Sequence, residues 1–227
     1  MSLPPVVSDA RNRLLRSSRA MSFLRLHRKY RDFTMAPAGM FWRNLRIVDA
    51  NRHVPGCVVE CGVWRGGMSA GMAEVLGPSR EYFLFDSFEG LPPAGELDGE
   101  AAKRWQADVS SPTYYDNCRA DIDFAESAMR KSGVPRYRLV KGWFEGTLPS
   151  FVPPEPIAIL RVDGDWYEST LTVLESLWKY LAPDGIVIVD DYYAWDGCSR
   201  AVHDFLSRHQ STARITQQHG ICVLVQR

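Results

Sequence analysis

From residue 55 onward the chain alternates short apolar runs with longer stretches of mixed polarity. Cys57 to Val63 (CVVECGV), Glu81 to Phe85 (EYFLF), Tyr137 to Val140 (YRLV), Ile157 to Val162 (IAILRV) and Ile186 to Val189 (IVIV) are too short for helices and read as buried strands. Helices are expected between them, at Gly66 to Leu76, Asn117 to Ser132, Glu168 to Tyr180 (closed by Pro183 and Gly185) and Ser199 to Arg208. Arg214 to Gln218 and Ile221 to Gln226, split by His219-Gly220, predict a closing hairpin. Upstream, residues 8–33 read as one or two helices, broken by Pro37 and Gly39. Phe41 to His53 is helical again, with Phe41, Leu45 and Val48 near one face, until Pro55-Gly56 ends it. The Pro/Gly-rich stretch from Glu89 to Gly99 predicts an irregular loop.

Strands alternating with helices predict βαβ crossovers, hence an α/β fold with a mostly parallel sheet covered on both faces. The pattern divides the chain into a helical arm, residues 1–54, and a sheet domain, residues 55–227. Ligands of such sheets lie beyond the carboxyl ends of the strands. Here those ends hold Glu60 and Gly62, Asp86, Gly142, Asp163 and Asp190-Asp191. Acidic residues in those places are costly for a core and sensible for a site.

Composition changes this picture little. With 227 residues, 45% hydrophobic and 24% charged, the chain fits one α/β domain and is not a disordered polymer. No apolar run nears the roughly 18 residues of a membrane span, so no membrane partner is expected. The opening MSLPPVVSDARNR lacks an apolar stretch behind a basic head, so no secretory leader is expected. Charge sums to zero, but residues 1–50 hold ten basic and three acidic side chains. The arginines are scattered among Leu, Phe and Met, which favours a solvated or subunit-facing helix over a nucleic-acid-binding block. Five cysteines with no CxxC pair and no zinc spacing suit a reducing, cytoplasmic setting.

The candidate chemistry lies in two places. Glu60 to Gly67 (ECGVWRGG) is a glycine-rich turn between strand and helix, where the backbone can approach a ligand closely. Its spacing is not that of the dinucleotide fingerprint. Asp86, at the next strand's end, is placed to accept ribose hydroxyls. An acidic residue before the glycine turn suits a ligand carrying an amino group, and a nucleoside with a cationic tail describes S-adenosylmethionine. The second place is RVDGDWYEST with Asp163 and Asp165, followed by VIVDDY with Asp190 and Asp191. Carboxylates gathered at adjacent strand ends repel one another until a hard divalent cation such as Mg²⁺ relieves them. If the chain is still extended there, Asp165 points away from Asp163. Helix capping by Asp165 and a turn at Asp191 are the plainer alternative.

Taken together, ECGVWRGG (60–67), DSFEGLP (86–92), KGWFEGTLP (141–149), RVDGDWYEST (161–170) and VIVDDY (187–192) resemble the macrocin O-methyltransferase family. The likeness runs from about Thr34 to the C-terminus. It implies a single-domain, Rossmann-like class I methyltransferase: a mostly parallel seven-stranded sheet with a C-terminal antiparallel hairpin and an N-terminal helical lid. It implies S-adenosylmethionine and Mg²⁺ as cofactors and a sugar hydroxyl of a small molecule or glycoside as acceptor. A homo-oligomer, dimer or higher, is expected. Residue by residue, Glu60 and Gly62 would line the methionine part, with Ser69 starting the helix beside them. Asp86 would hold the ribose, with Ser87 and Phe88 near the adenine. Gly142, Trp143 and Phe144 would wall the adenine side, Thr34 and Met35 would lie in a lid over the cofactor, and Asp163, Asp190 and Asp191 would hold the metal. Asp163 is also the expected base, with His203 a less favoured relay. The segment from Ala94 to Asp116 has a sequence of its own.

Three rivals remain at this level. Gly67-Met68-Ser69-Ala70-Gly71 spells the G-x-S-x-G elbow of serine hydrolases, with Asp190 or Asp191 preceding His203 and His219. Yet Trp64 to Gly67 separates Ser69 from the strand, where an elbow needs direct succession. The D-G-D at 163–165 would also suit a metal-dependent glycosyltransferase. A cofactor-binding module without activity is the third, and the retained aspartates speak against it.

Overall fold

The computed structural model describes residues 22–226. Seven strands form one sheet: β1 (Cys57–Cys61), β2 (Tyr82–Asp86), β3 (Tyr137–Lys141), β4 (Ile157–Val162), β5 (Leu181–Val189), β6 (Arg214–Gln218) and β7 (Ile221–Val225). Their order is β3-β2-β1-β4-β5-β7-β6. The first five run parallel, and β7 is antiparallel to both β5 and β6. The helices are α1 (residues 22–30), α2 (Ala38–Ala50), α3 (Gly67–Leu76), α4 (Gly99–Ala107), α5 (Ile122–Ser132), the single turn α6 (Phe144–Thr147), α7 (Tyr167–Leu177) and α8 (Asp196–Arg208). Among the described residues, no helix is long and apolar enough to cross a membrane.

β1 and β4 are buried along their whole length, as strands covered on both faces must be. Edge strand β3 is only partly buried and carries Arg138 and Lys141, charges that blunt a free edge. Two apolar clusters fill the space on either side. One joins Phe41, Leu45, Met72, Ala125 and Met129 from α2, α3 and α5; the other joins Leu171, Leu174, Val202 and Phe205 from α7 and α8. The register brings Cys61, Val162 and Val189 level, so the chain leaves β1, β4 and β5 side by side. The strand order reverses at β1, and a crevice opens there over β1 and β4.

The predicted parallel core and closing hairpin are present, and three local expectations change. β5 begins at Leu181 and runs through Pro183 and Gly185, which the sequence reading makes a helix stop. A register shift opposite Ile157 and Ile159 accommodates them, as bulges do for proline. Helix α4 falls in the segment left without assignment, because Ala102 is its sole buried residue and Trp105 its one large apolar side chain. The helix expected from Asn117 starts instead at Ile122, N-capped by Asp121, whose carboxylate accepts the Asp123 N–H at 3.0 Å. Ahead of it Tyr115, Asp116, Asn117 and Cys118 all adopt positive φ, a short left-handed turn. Of the expected arm helices, residues 8–21 lie outside the described residues.

Candidate functional site

A cleft of about 860 Å³ opens over the carboxyl ends of β1, β2, β4 and β5. The glycine turn forms its floor. Gly62 has φ +93, and a Cβ there would lie 1.8 Å from the Asp163 carbonyl oxygen, so only glycine lets β1 and β4 end this close. Asp86 secures the turn: its Oδ2 accepts the N–H groups of Val63 (2.6 Å) and Trp64 (2.8 Å), and its Oδ1 accepts that of Phe88 (2.7 Å). Burial pushes this carboxyl up, and the three N–H groups oppose the shift.

Below the cleft lies a buried polar layer that the sequence reading missed. Glu60 on β1 and Arg161 on β4 are register partners, so their side chains share one face of the sheet. The Arg161 guanidinium is 2% exposed. It donates to Glu60 Oε1 at 2.7 Å and Asp163 Oδ2 at 2.7 Å, and pairs with Asp190 Oδ2 at 2.9 Å. Its Nε reaches Asn44 Oδ1 of α2 at 3.4 Å, and Asn44 Nδ2 donates to Asp190 Oδ1 at 3.0 Å. The Ser69 hydroxyl donates to the other Glu60 oxygen. Burial works against the Arg161 cation, but Asp163, Asp190 and Glu60 keep it firmly protonated. Burial also lifts the Glu60 carboxyl to about 7 against the pull of Arg161. The available signal was simple: Glu60 and Arg161 are the charged residues inside two otherwise apolar strands, and such a pair must find each other.

Asp163, Asp190 and Asp191 each offer an oxygen, and these atoms lie within 4.8 Å of one another. Burial, then Asp165, Asp163 and Asp190, holds the Asp191 carboxyl well above the usual range. Burial also raises Asp163, Arg161 pulls it back, and Asp190 raises it further. One guanidinium therefore faces a crowd of carboxylates. An oxygen-only donor set with uncompensated negative charge fits a hard divalent cation such as Mg²⁺.

Asp165 does not point away. The chain is no longer extended: φ at Asp165 is +55, and its side chain lines the cleft. Its N–H donates to Asp191 Oδ2 at 3.2 Å, and its Oδ1 accepts from Trp195 Nε1 at 2.9 Å. Burial and the nearby Asp163 push its carboxyl up to about 8. Trp195 packs against Trp166 and Trp105, with ring centroids 5.2 and 6.0 Å apart, and Trp166 Nε1 donates to Pro92 O at 2.9 Å. This tryptophan cluster fixes both Asp165 and the loop at the cleft's rim.

Most of the expected site residues meet here. Thr34, Met35, Glu60, Gly62, Asp86, Ser87, Trp143, Phe144, Asp163, Asp190 and Asp191 all line the cleft. Three do not. Ser69 is fully buried behind Glu60. Phe88 packs into the core under the turn. Gly142 stands back from the lining and donates its N–H to Asp86 O at 2.9 Å. The hydrolase reading loses its geometry as well: no histidine lines the cleft, and His203 Nε2 lies 2.9 Å from the Tyr192 hydroxyl instead.

A family model for macrocin-O-methyltransferase (TylF) matches residues 43–227. The 8-demethyl-8-(2,3-dimethoxy-alpha-L-rhamnosyl)-tetracenomycin-C 4'-O-methyltransferase of Streptomyces olivaceus is 38% identical over 173 residues, covering 74% of this chain and 64% of that protein. The demethyldecarbamoylnovobiocin O-methyltransferase of Streptomyces niveus is 36% identical over 168 residues, covering 69% and 60%. The solved O-methyltransferase NovP superposes with a TM-score of 0.68 at 29% identity, covering 86% of this chain and 82% of that one. The chain spans about 60–65% of the length of the curated relatives it matches. The matched residues 43–227 take in the glycine turn, Asp86 and the aspartate-bearing strand ends together. This chain belongs to the macrocin-O-methyltransferase family.

Proposed function

We propose that this chain is an S-adenosylmethionine- and Mg²⁺-dependent O-methyltransferase that methylates a sugar hydroxyl of a natural product or glycoconjugate. The carrying observation is that one cleft contains both the Gly62 turn beside Asp86 and the three carboxylates of Asp163, Asp190 and Asp191. The names of the relatives support the acceptor class, since the Streptomyces olivaceus enzyme acts on a rhamnosylated tetracenomycin.

When bound, S-adenosylmethionine supplies an activated methyl group, and a divalent cation supplies charge that eases deprotonation of a hydroxyl. Asp86 would hold the ribose, with Ser87 near the adenine. Trp143 and Phe144 wall the adenine side. Thr34 and Met35 cover the donor and exclude water. Asp163, Asp190 and Asp191 would hold the cation, with the acceptor hydroxyl in the same cleft. Catalysis then rests largely on positioning the acceptor oxygen against the methyl carbon. The expected base, Asp163, has one oxygen committed to Arg161 and serves as a cation ligand. Asp165 makes no contact with Arg161 and is oriented by Trp195, so a second reading gives the acceptor proton to Asp165.

Calorimetry with S-adenosylhomocysteine, together with radiolabelled methyl transfer to a panel of desmethyl glycosides, tests both readings. Asp191→Ala should abolish transfer and spare donor affinity; equal loss of both would count against the cation role. Asp165→Asn should lower turnover while keeping both donor and cation binding. Retained turnover in that variant would return the proton to Asp163. Transfer that persists after thorough chelation would remove Mg²⁺ from the proposal.

A further inference from the structure

Arg161 is placed for a task that nothing in the cation chemistry itself requires. Its side chain rises from β4 on the face shared with Glu60, and Asp163, two residues further on, follows on the same face. Asp190 leaves β5 at the same level, since Val162 and Val189 are register partners. The guanidinium thus lies directly below two of the three carboxylates, at 2.7 Å from Asp163 Oδ2 and 2.9 Å from Asp190 Oδ2. Asn44 holds the remaining Asp190 oxygen at 3.0 Å and lies 3.4 Å from the Arg161 Nε. Both residues are buried, with Arg161 at 2% and Asn44 at 0% exposure. Asp191 has no contact with Arg161; its Oδ2 accepts a backbone N–H from Asp165.

We propose that Arg161 is a positioning residue for the divalent cation. Assisted by Asn44, it holds Asp163 and Asp190 in a ligating arrangement from beneath, before any cation arrives. The physical case has two parts. One oxygen each of Asp163, Asp190 and Asp191 lies within 4.8 Å of the others, and charged oxygens at that range repel. A planar fork with fixed donor directions resists that repulsion, whereas a point charge on a flexible stem cannot reach all its partners at once. The cation is then bound by carboxylates whose rotamers are already set, so less conformational entropy is lost on binding. Arg161 also contributes to the cleft lining, and in this scheme it acts through Asp163 and Asp190.

The inference rests on the cation reading above, and one experiment separates the two. Free Mn²⁺ is counted by electron paramagnetic resonance while the metal-free protein is titrated, for wild type, Arg161→Lys and Asn44→Ala. Circular dichroism melting of the same samples monitors folding. Wild type should bind one Mn²⁺, and Arg161→Lys should bind it at least tenfold more weakly while still melting cooperatively. Asn44→Ala should weaken binding by about threefold, and it carries the test if Arg161→Lys does not fold. A merely structural arginine would lower the melting temperature and leave Mn²⁺ affinity within twofold of wild type, which would overturn the inference alone. Wild type that binds no Mn²⁺ would overturn both the inference and the cation reading beneath it.

Discussion

Gly62→Ala measures how closely the proposed donor and cation halves of the cleft are joined. At φ +93 any side chain is strained, and a left-handed residue costs about 1–2 kcal/mol. The new Cβ would also lie 1.8 Å from the Asp163 carbonyl oxygen and 2.6 Å from its carbon. An ordinary contact is about 3.5 Å, so the ends of β1 and β4 must part by well over an ångström. The bond that closes this end of the ladder, from the Asp163 N–H to Cys61 O at 2.9 Å, then stretches or breaks. Overpacking of this kind costs about 1–3 kcal/mol, giving roughly 2–5 kcal/mol in total. Gly133 supplies the control. It caps α5 at φ +79, and a Cβ there would meet nothing within 4 Å, so Gly133→Ala should cost only about 1–2 kcal/mol. Each kcal/mol lowers the melting temperature of a domain this size by about 2–4 °C. The left-handed cost is common to both, so differential scanning calorimetry should place Gly62→Ala roughly 2–12 °C below Gly133→Ala. Titration calorimetry should find weakened S-adenosylhomocysteine binding in Gly62→Ala only. If the two variants melt within about 2 °C of each other and bind alike, the contact between the ends of β1 and β4 is not what Gly62 provides.

Three further outcomes are expected. Burial raises the Glu60 carboxyl to about 7, above the value near 4.3 of an unfolded glutamate, so the folded chain holds this proton more tightly. Stability from this group is complete below about pH 4.3 and is lost as pH rises towards 7, by up to about 3 kcal/mol; metal-free Glu60→Gln should flatten that slope in denaturant melts across the window. Trp195→Phe removes the N–H that reaches Asp165 Oδ1 at 2.9 Å, so turnover should fall at least about tenfold while S-adenosylhomocysteine affinity stays put; an unchanged turnover would mean Asp165 needs no orienting. Ser69→Ala should lose about 1–3 kcal/mol of stability through the unpaired Glu60 oxygen, yet retain methyl transfer, and an active-site serine probe should leave wild type unlabelled. Labelling of Ser69 would revive the hydrolase reading.

Much of this fold is legible because its strands obey a single rule. Parallel strands covered on both faces must be apolar throughout, and CVVEC, YFLFD and IAILRV announce themselves against helical neighbours. What stayed hidden lacks such a stripe. α4 buries Ala102 alone, so little apolar surface marks it. β5 crosses Pro183 and Gly185 on a bulge, which reads along the sequence as a stop. The turn at Tyr115 to Cys118 is left-handed over four non-glycine residues, a conformation that sequence propensity opposes. It is held from outside: Asn117 Nδ2 donates to Leu91 O at 2.8 Å, and Gln106 Nε2 donates to Asn117 Oδ1 at 2.9 Å.

The site divides along the same line. Residues that end strands were recoverable, because strand order alone carries Gly62, Asp86, Asp163 and Asp190 to one rim. Residues that support them from below were not, because their meaning depends on register. Arg161 in IAILRV looks like an interruption until β1 and β4 are aligned, and only then does Glu60 face it. Asn44 is further away still, 117 residues upstream on a helix read for its apolar face. The error at Asp165 is of another kind. The two-residue strand period would itself place Asp165 on the face of Asp163; the chain in fact turns there, with φ +55 at Asp165, and the carboxylate lines the cleft. That placement matters for the chemistry: it leaves one acid outside the set of three whose oxygens converge, oriented by an indole and beyond the grasp of the guanidinium. The proposed function, holding a cation and taking up a proton, calls for such a division, because a carboxylate committed to a metal is a poor base. The left-handed residue at 165 is therefore where the local strain of this cleft and its proposed chemistry coincide.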